Sequence, residues 1–222
     1  MSVVVLKVGG ASTGGVAEAV AALRAQGDRV CVVHGAGPQI SEEMERRGLE
    51  VQFVGGRRVT TADALAVVRE SFAAVNAAVC AAIGPDAVPL AGDEIGLQAE
   101  QMPELGLVGN PLPSAPALVV AALAEGLVPV VTPLARGPLN VNADEAASAL
   151  AVGIGAARIH FLTDVPGVFH DGRLVQSIGA DRAETLVSDG TFAGGIAPKL
   201  LAAVSAARSG LVAEIGSTAV VA

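Results

Sequence analysis

The chain has 222 residues and a formal net charge of −8, from 22 acidic and 14 basic side chains. This length allows one large domain or two closely joined lobes, and the acidic balance disfavours a nucleic acid or an anionic membrane as a partner. Hydrophobic residues make up 52% of the chain, yet it contains neither Trp nor Tyr, so the core must consist mainly of small aliphatic side chains.

The two cysteines and the longest apolar stretch indicate the class of protein. Cys31 falls in an apolar strand and Cys80 in an alanine-rich helix, and neither has the spacing of a metal ligand. We therefore expect reduced thiols in a cytoplasmic protein. The N-terminal apolar run does not resemble a signal peptide, because it is short and Lys7 interrupts it. Residues 116–135 predict a helix and then a buried strand rather than a membrane span, because an acidic residue, a glycine and a proline divide them.

The first strand ends in a lysine that is followed by two glycines. Residues 3–6 are apolar and mostly β-branched, which predicts a strand buried on both faces at the centre of a parallel sheet. A lysine at the end of such a strand is costly unless an anion meets it. Gly9 and Gly10 allow backbone N–H groups to approach that anion closely.

The chain contains 12 arginines but only two lysines, Lys7 and Lys199. Lys199 also follows a glycine pair, Gly194 and Gly195. A lysine ammonium is a compact point charge whereas the arginine guanidinium is a wide planar fork, so a transferring phosphoryl group in a tight site favours lysine. The alternative is that these two lysines arose by drift in an arginine-biased genome.

The next residues alternate between helix and strand patterns. We predict a loop over 11–15, a helix over 16–26, a strand over 30–33 and a helix over 39–47. This alternation predicts a parallel sheet and the α/β fold class, with both glycine loops at the edge where helix N-termini favour phosphates. His34 follows the second strand. We interpret it as a histidine with satisfied hydrogen bonds at a strand end, in preference to a catalytic base.

Residues 51–61 predict a hairpin that turns at Gly55 and Gly56. Arg57 and Arg58 lie on its returning arm, and alternation places them on opposite faces. Arg58 is the one that we expect to clamp a substrate carboxylate with two hydrogen bonds. We interpret Arg57 as a solvated surface arginine.

Two asparagines lie close together before a predicted helix. Asn140 and Asn142 alternate in an extended lead-in, and Asn142 or Asp144 is expected to cap a helix that runs to about residue 152. One asparagine is expected to face a ligand while the other fixes the loop. For Asp144, an ordinary acidic residue at a helix start is the alternative interpretation. The elements predicted before this point are a helix over 63–82, a strand over 88–90, a loop with an irregular hairpin over 91–107, a helix over 116–125 and a strand over 127–132.

The last third of the chain begins with a predicted strand that leads to Thr163 and Asp164. A soft boundary near residues 153–157 divides the chain into predicted lobes over 1–155 and 156–222. The elements predicted here are a strand over 158–162, a hairpin turn at 171–172, a helix over 181–188, a glycine loop over 190–198 leading to Lys199 and a helix through 207, and strands over 212–215 and 219–221.

Six short motifs occur in a fixed order along residues 3–210. They are Lys-x-Gly-Gly, His-Gly-x-Gly-Pro, Arg-Val-Thr, Asn-Val-Asn-Ala-Asp, Leu-Thr-Asp-Val-x-Gly-Val and Gly-Gly-x-x-Pro-Lys. With them the chain resembles the amino acid kinase family, and within it the enzymes that phosphorylate N-acetyl-L-glutamate. The resemblance implies a three-layer α/β/α sandwich with a central, mainly parallel open sheet. The N-terminal lobe would bind the amino acid and form a homodimer, and the C-terminal lobe would bind ATP.

The resemblance also implies a reaction and roles for residues. ATP would phosphorylate the side-chain carboxylate of N-acetyl-L-glutamate to an acyl phosphate, in arginine biosynthesis. Magnesium would arrive with ATP, and we expect no protein ligand for it. The catalytic residues would be Lys7, Lys199 and Asp144, the substrate-binding residues Gly35, Ala36, Arg58 and Asn140, and the nucleotide-binding residues Gly9, Gly10, Thr163, Asp164 and Gly195. Backbone N–H groups of Gly9, Gly10, Gly35 and Ala36 would face the phosphates.

The residue types agree with such a reaction. A side-chain carboxylate has a reference pKa near ~4.3, so the acceptor is already ionised and needs no general base. Phosphoryl transfer mainly needs positioning and charge stabilisation. Two lysines, backbone N–H groups and an orienting aspartate supply both.

Three departures from the family pattern carry expectations of their own. Ala36 stands where relatives have the second glycine of His-Gly-Gly-Gly, which keeps the N–H group. The chain passes almost directly from Ala213 to Gly216, so we expect a shortened ATP lobe. It starts at the first strand, without the helix that links arginine-inhibited relatives into hexamers, so we expect a dimer without arginine feedback.

Other functions remain open at this point. A sister kinase of the family would act on aspartate, glutamate or a carrier-linked aminoadipate, although the charge of −8 disfavours an acidic carrier. The Asn-x-Asn-Ala-Asp string disfavours an aspartokinase, as does the lack of a regulatory domain. A non-catalytic ligand-sensing module is disfavoured because Lys7, Lys199 and Asp144 are all present. A dinucleotide-binding domain is disfavoured because the third fingerprint glycine is replaced by Ile40.

Overall fold

A computed structural model describes residues 2–10 and 15–222. Residues 11–14 of the predicted first loop lie outside the described residues. The helices are α1 (Val16–Ala25), α2 (Gly37–Arg46), α3 (Ala62–Ile83), α4 (Gly92–Ile95), α5 (Ala117–Ala124), α6 (Ala143–Gly153), α7 (Ala180–Ser188) and α8 (Ile196–Arg208). The strands are β1 (Val3–Val8), β2 (Arg29–His34), β3 (Phe53–Val54), β4 (Arg57–Arg58), β5 (Ala87–Ala91), β6 (Gln98–Gln101), β7 (Val108–Leu112), β8 (Val128–Thr132), β9 (Leu134–Ala135), β10 (Leu139–Val141), β11 (Arg158–Phe161), β12 (Phe169–His170), β13 (Arg173–Leu174), β14 (Ser177–Gly179), β15 (Val212–Ile215) and β16 (Thr218–Val221).

The central sheet has eight strands in the order β14-β16-β15-β11-β1-β2-β8-β5. All neighbouring pairs are parallel except β15 with β16. The first strand, β1, lies in the middle between β11 and β2, and its Val4, Val5 and Leu6 are fully buried. This confirms the prediction of a buried central strand in a mainly parallel sheet.

Side chains that alternate along β1 enter two separate cores. Val5 packs in a core with Leu150 of α6 and Leu200 of α8. Leu6 packs on the opposite face with Val20 of α1 and Val68 of α3. Helices therefore cover both faces of the sheet, which confirms the three-layer α/β/α sandwich.

Helix α3 is, among the described residues, the one helix that is long and apolar enough to cross a membrane. Its inner face packs against the sheet, where Leu65, Val68, Phe72 and Val75 are buried. Residues 116–135 form α5 and then the buried strand β8, as predicted.

Several regions differ from the predicted elements, among them strands β7 and β14, which were not predicted. Residues 91–107 contain a short helix, α4, and the strand β6, which pairs with β7 in a small sheet of order β6-β7-β10-β9. Helix α8 begins at Ile196, so Pro198 and Lys199 lie in its first turn rather than before it. The first turn tolerates proline because its N–H groups have no partner within the helix. A glycine loop followed by proline is not typical of a helix start, so the first residues of α8 were not predicted as helical.

The predicted lobes share the central sheet. Helix α6 ends at Gly153 and β11 begins at Arg158, on either side of the predicted boundary. Because β11 pairs directly with β1, backbone hydrogen bonds connect the two lobes through the sheet. The division into lobes over 1–155 and 156–222 stays a prediction.

Candidate active site

The carboxyl ends of β1 and β2 bring two glycine segments together. Gly35 N–H donates to Val8 O at 2.9 Å. A Cβ atom at Gly10 would lie 2.8 Å from the Cα of Ala36, which is closer than a side chain can approach. Gln39 holds this arrangement through a 2.7 Å hydrogen bond from its Nε2 to Gly10 O. Glycine at position 10 is thus required by the neighbouring backbone.

Asn142 caps helix α6 and thereby positions Asp144. Its Oδ1 accepts hydrogen bonds from the N–H groups of Asp144 at 2.9 Å and Glu145 at 3.2 Å. Of the two predicted caps, the structure selects Asn142. Asp144 consequently lies in the first helical turn, facing the end of β1.

Asp144 joins the two lysines of the chain. Its Oδ1 lies 2.7 Å from Lys7 Nζ and 3.0 Å from Lys199 Nζ. Lys7 is 6% exposed and Asp144 8%. The Lys199 ammonium also lies 5.5 Å from the centroid of the Phe161 ring. Strand β1 and the N-terminal turns of α6 and α8 thus bring the three predicted catalytic residues together.

Burial and mutual attraction shift the pKa values of this group. Burial lowers the pKa of Lys7, Asp144 opposes the shift, and the second ammonium of Lys199 adds to it. For Asp144, burial alone would raise the pKa, but the two ammonium groups outweigh it and hold the pKa below its ordinary value. Asp144 is therefore an anion at neutral pH, and one carboxylate faces two cationic groups.

A cavity of about 250 Å³ opens beside Lys7 and Asp144. Four predicted substrate-binding residues line it, namely Gly35, Ala36, Arg58 and Asn140, together with Gly10 from the predicted nucleotide set. The side chains of Arg58 and Asn140 are both buried. Asn140 Nδ2 donates to Thr60 Oγ1 at 3.0 Å.

Arg58 is a buried cation whose hydrogen-bond partners are neutral. Its Nη2 donates to Gly37 O at 3.1 Å and to Ser41 Oγ at 2.8 Å, and its Nη1 contacts Met44 Sδ at 3.4 Å. Within residues 2–10 and 15–222, no carboxylate forms an ion pair with it. Burial lowers its pKa. A buried guanidinium in this state provides a binding site for an anion.

The remaining predicted nucleotide residues lie beside this cavity rather than in its wall. Thr163 and Asp164 follow β11, whose end is tied to β1 by a 2.9 Å hydrogen bond from Leu162 N to Lys7 O. Gly195 is exposed and caps α8, four residues before Lys199. Gly9 follows β1 and is partly buried. Gly9, Thr163 and Asp164 thus follow the carboxyl ends of two adjacent parallel strands, and Gly195 lies at the start of the helix that carries Lys199.

His34 is a buried structural histidine. Its Nδ1 lies 3.3 Å from Gly35 O and its Nε2 lies 3.1 Å from Asn76 Nδ2. Because a carbonyl only accepts, we assign the proton to Nδ1, and Nε2 then accepts from Asn76. Burial lowers the pKa of His34 to about 4, so the ring is neutral. The satisfied-histidine interpretation is confirmed.

Among residues 2–10 and 15–222, no group of three or more His, Cys, Asp and Glu side chains could hold a metal ion. The groups that contact the Asp144 carboxylate are the ammonium groups of Lys7 and Lys199, which repel a metal cation. The polar groups that converge here suit an anion instead.

The sequence as a whole matches a known family over nearly its full length. Residues 2–217 match the amino acid kinase family. The chain belongs to this family. The acetylglutamate kinase of Rubrobacter xylanophilus is 42% identical, in an alignment that covers 97% of this chain and 88% of that protein. The acetylglutamate kinase of Solibacter usitatus is 43% identical over 86% of this chain and 79% of that protein.

Solved structures share the amino acid kinase fold. The smu.665 protein of Streptococcus mutans UA159 superposes with a TM-score of 0.90 at 23% identity, covering 99% of this chain and 98% of that one. A carbamate kinase of Giardia lamblia bound to AMP-PNP superposes with a TM-score of 0.72 at 17% identity, over 99% and 98% of the two chains. At these identities the likeness concerns the fold alone.

Sequence reasoning missed part of the candidate site. Phe53 lines the cavity, and its ring centroid lies 4.5 Å from the guanidinium carbon of Arg58. As one of only five phenylalanines, on the arm opposite Arg58 in the predicted hairpin, it could have been found. The interpretation of Arg57 as a solvated residue was wrong. Arg57 forms an ion pair with Glu145 at 2.8 Å, and only 23% of its side chain is exposed.

Proposed function

We propose that this chain is an acetylglutamate kinase, which uses ATP to phosphorylate the side-chain carboxylate of N-acetyl-L-glutamate in arginine biosynthesis. The observation that carries this proposal is the junction of two lysines on one oxygen of Asp144, beside a cavity lined by Arg58, whose hydrogen-bond partners in the described part of the chain are uncharged. The two relatives with 42% and 43% identity bear this name, which supports the choice of acceptor.

The acceptor binds in the cavity of about 250 Å³. Arg58 holds one carboxylate of the amino acid through its guanidinium, and Asn140 contacts the remainder of the molecule. Gly35 and Ala36 lie at the same wall, and because the Gly35 N–H donates to Val8 O, Ala36 supplies the backbone N–H group to the substrate there. The second carboxylate of the substrate then points towards Lys7, where the phosphoryl group arrives.

The lysines stabilise the charge of the transferring phosphoryl group. Lys7 extends from β1 and Lys199 from α8, so two different elements each bring one ammonium group to the reacting oxygens. Asp144 orients both, and it limits the repulsion between them. The acceptor carboxylate is ionised at neutral pH, so the step needs no general base. The rate acceleration comes from the correct placement of the two substrates and from preorganised positive charge around the transferring phosphoryl group.

The nucleotide binds on the Lys199 side of the sheet edge. The N–H groups of Gly9 and Gly10 face the phosphates, and Thr163, Asp164 and Gly195 surround the rest of the nucleotide. Magnesium would be supplied with ATP to offset the charge of its phosphates, and we assign it no protein ligand because the ammonium groups of Lys7 and Lys199 repel a metal cation. A shortened ATP lobe remains a prediction.

We further propose a homodimer, formed through the outer face of α3 and the neighbouring edge strand β5. The exposed residues in the middle of α3 are almost all alanines, which permit close approach of a second helix: Ala66, Ala73, Ala74, Ala77, Ala78, Ala81 and Ala82. A mainly apolar groove of about 570 Å³ lies between α3 and β5. In the described part of the chain, the outer edge of β5 pairs with no other strand.

The free thiols of Cys31 and Cys80 support a cytoplasmic location.

The deciding experiment is acyl-phosphate formation from ATP and Mg²⁺, trapped with hydroxylamine. N-acetylglutamate is compared with glutamate, aspartate and N-acetylaminoadipate, and a Lys199→Ala variant serves as the blank. We expect turnover on N-acetylglutamate alone. Turnover on another carboxylate would show that the protein is a sister kinase of the family that acts on that carboxylate. No turnover by folded protein on any acceptor would contradict the proposal and favour a sensing module.

A further inference from the structure

The β3–β4 hairpin is a small ribbon that lies over the amino-acid cavity. It contains two residue pairs, Phe53 with Arg58 and Val54 with Arg57. The residues Phe53 and Val54 are about half exposed, at 53% and 48%. A two-stranded ribbon with so little buried apolar surface is only marginally stable by itself. Its position therefore depends on contacts with the rest of the protein.

Arg57 ties this hairpin to helix α6. Its Nη2 lies 2.8 Å from Glu145 Oε1, and its Nε donates to Glu145 Oε2 at 3.1 Å. Nη2 also donates to Asn110 Oδ1 at 3.3 Å. The Arg57 and Glu145 side chains are each about a quarter exposed, at 23% and 24%. Two-point geometry with partial shielding from water makes this pair stronger than an ordinary surface ion pair.

A second contact fixes the tip of the hairpin to the same helical turn. Asn142 Nδ2 donates to Gly56 O at 3.2 Å, while Asn142 Oδ1 caps α6. Both contacts thus end on the first turn of α6, which also carries Asp144. The two adjacent carboxylates have separate partners: Asp144 forms ion pairs with the lysines, and Glu145 forms an ion pair with the hairpin.

The hairpin tip also touches the helix that carries the second lysine. A Cβ atom at Gly56 would lie 3.3 Å from Pro198 Cβ, and Gly56 has a φ of 78°, which favours glycine. Pro198 directly precedes Lys199. When the hairpin is closed, it contacts the elements that carry Asp144 and Lys199.

We propose that the Arg57–Glu145 ion pair is a latch that keeps the β3–β4 hairpin closed over the cavity, so that Arg58 is positioned on the substrate carboxylate. Arg57 and Glu145 are positioning residues, because they act through Arg58 and the hairpin. The role of the latch in substrate binding rests on the proposed function. Closure of the hairpin by the ion pair is independent of the proposed function.

The charges around Glu145 make the latch sensitive to pH. Burial raises the pKa of Glu145, Arg57 on β4 opposes the rise, and Asp144 on the same helix adds to it. The side chains of β7 and α8 that lie beside Glu145, among them Asn110 and Ser205, are uncharged. Protonation of Glu145 removes the ion pair, so the latch weakens as the pH falls towards this raised pKa.

Steady-state kinetics of Glu145→Gln, Arg57→Gln and the double variant test the role in binding. We expect KM for the amino acid to rise roughly tenfold in each single variant, with kcat and KM for ATP little changed. The double variant should be no worse than either single variant, because both remove the same ion pair. In the wild type, KM for the amino acid should rise as the pH falls, and this dependence should be lost in Glu145→Gln.

Hydrogen exchange of the hairpin amides, followed by mass spectrometry without substrate, tests the latch independently of activity. We expect exchange over residues 53–58 to be roughly tenfold faster in Glu145→Gln and in Arg57→Gln than in the wild type. Glu184→Gln is the matched control, because it removes a two-point pair with Arg208 that lies far from the hairpin.

The outcomes separate the latch from the proposed function. Unchanged exchange and unchanged KM in both single variants would overturn the latch, even if the wild type phosphorylates N-acetylglutamate. Faster exchange in a protein that acts on no carboxylate would support the latch and overturn the proposed function. A kcat loss with unchanged KM would overturn the positioning of Arg58.

Discussion

The ammonium groups of Lys7 and Lys199 converge on a single atom, Asp144 Oδ1, at 2.7 and 3.0 Å. Two like charges remain this close because the carboxylate between them offsets their repulsion. The group of three carries a net positive charge in a largely buried place, so it attracts an anion. The structure thus provides preorganised positive charge without any catalytic histidine or thiol at this junction.

We expect Lys7→Arg and Lys199→Arg to lower kcat by roughly 10² or more, because each ammonium acts mainly in the transition state. The guanidinium keeps the charge but cannot adopt the same compact position. Hydroxamate trapping at saturating substrates measures kcat, and the exposed Arg182→Lys is the control. Near-wild-type turnover in either lysine variant would contradict the proposed role of that lysine.

Asp144→Asn removes the carboxylate that both lysines share. We expect kcat to fall at least as far as in the lysine variants, and the free energy of unfolding to fall by roughly 3–5 kcal/mol, because buried Lys7 loses its counter-ion. Urea unfolding followed by circular dichroism measures the second effect. The exposed Asp181→Asn, which removes a surface ion pair with Arg208, should change stability little. An unchanged unfolding midpoint in Asp144→Asn would contradict a structural role for this ion pair.

Arg58→Ala should raise KM for the amino acid by roughly 10²-fold and leave KM for ATP nearly unchanged, because the guanidinium binds only the carboxylate of the amino acid that is not phosphorylated. Initial rates over a range of both substrates separate the two constants. Arg182→Ala serves as the control on an exposed helix position. An unchanged KM for the amino acid would show that another residue holds the carboxylate.

His34 should make the fold sensitive to mild acid. Burial lowers its pKa from 6.5 to about 4, so the unfolded chain binds a proton more readily than the folded protein does. The stabilising contribution is therefore complete above pH ~6.5, and it is lost as the pH falls towards about 4. We expect a loss of about 2 kcal/mol between pH ~7.5 and pH ~5.

Urea unfolding of the wild type and of His34→Gln at both pH values checks this expectation. The glutamine variant should lose less stability than the wild type over the same interval, since it has no titrating ring. His170→Gln is the control for removal of a histidine elsewhere. Equal pH dependence in wild type and His34→Gln would rule out the buried ring as the cause.

Ala77→Glu should dissociate the proposed dimer. The charge would be placed on the alanine face of α3, where burial against a second copy would be costly. Light scattering after size-exclusion chromatography measures the mass. Ala21→Glu, on the exposed face of α1, should leave the mass unchanged. A dimer that persists in Ala77→Glu would place the interface elsewhere.

Much of the fold follows from local sequence signals. The apolar run of β1 and the glycines after it predicted a buried central strand, and the alternating pattern up to residue 47 predicted a parallel sheet. These signals suffice because strand burial and helix periodicity depend on near neighbours. The start of α8 was missed because Pro198 normally disfavours a helix, and only its place in the first turn makes it acceptable.

The site was predicted where residue chemistry is unusual and missed where it depends on pairing in space. Lys7 and Lys199 stood out because every other basic residue is arginine. Arg57 looked like a surface residue because its partner, Glu145, lies far away in the chain. Likewise, the hydrogen bond from Gln39 to Gly10 carries no local signature, since glutamine is common on helix surfaces.

The position of β1 also sets how firmly the two lysines are held. Its backbone is hydrogen-bonded to β2 on one side and to β11 on the other. Displacing β1 would therefore break backbone hydrogen bonds on both of its edges, whereas α8 is attached to the sheet through side-chain packing. We expect amide hydrogens of β1 to exchange more slowly than those in the first turn of α8, so that Lys7 is the more rigidly placed of the two ammonium groups.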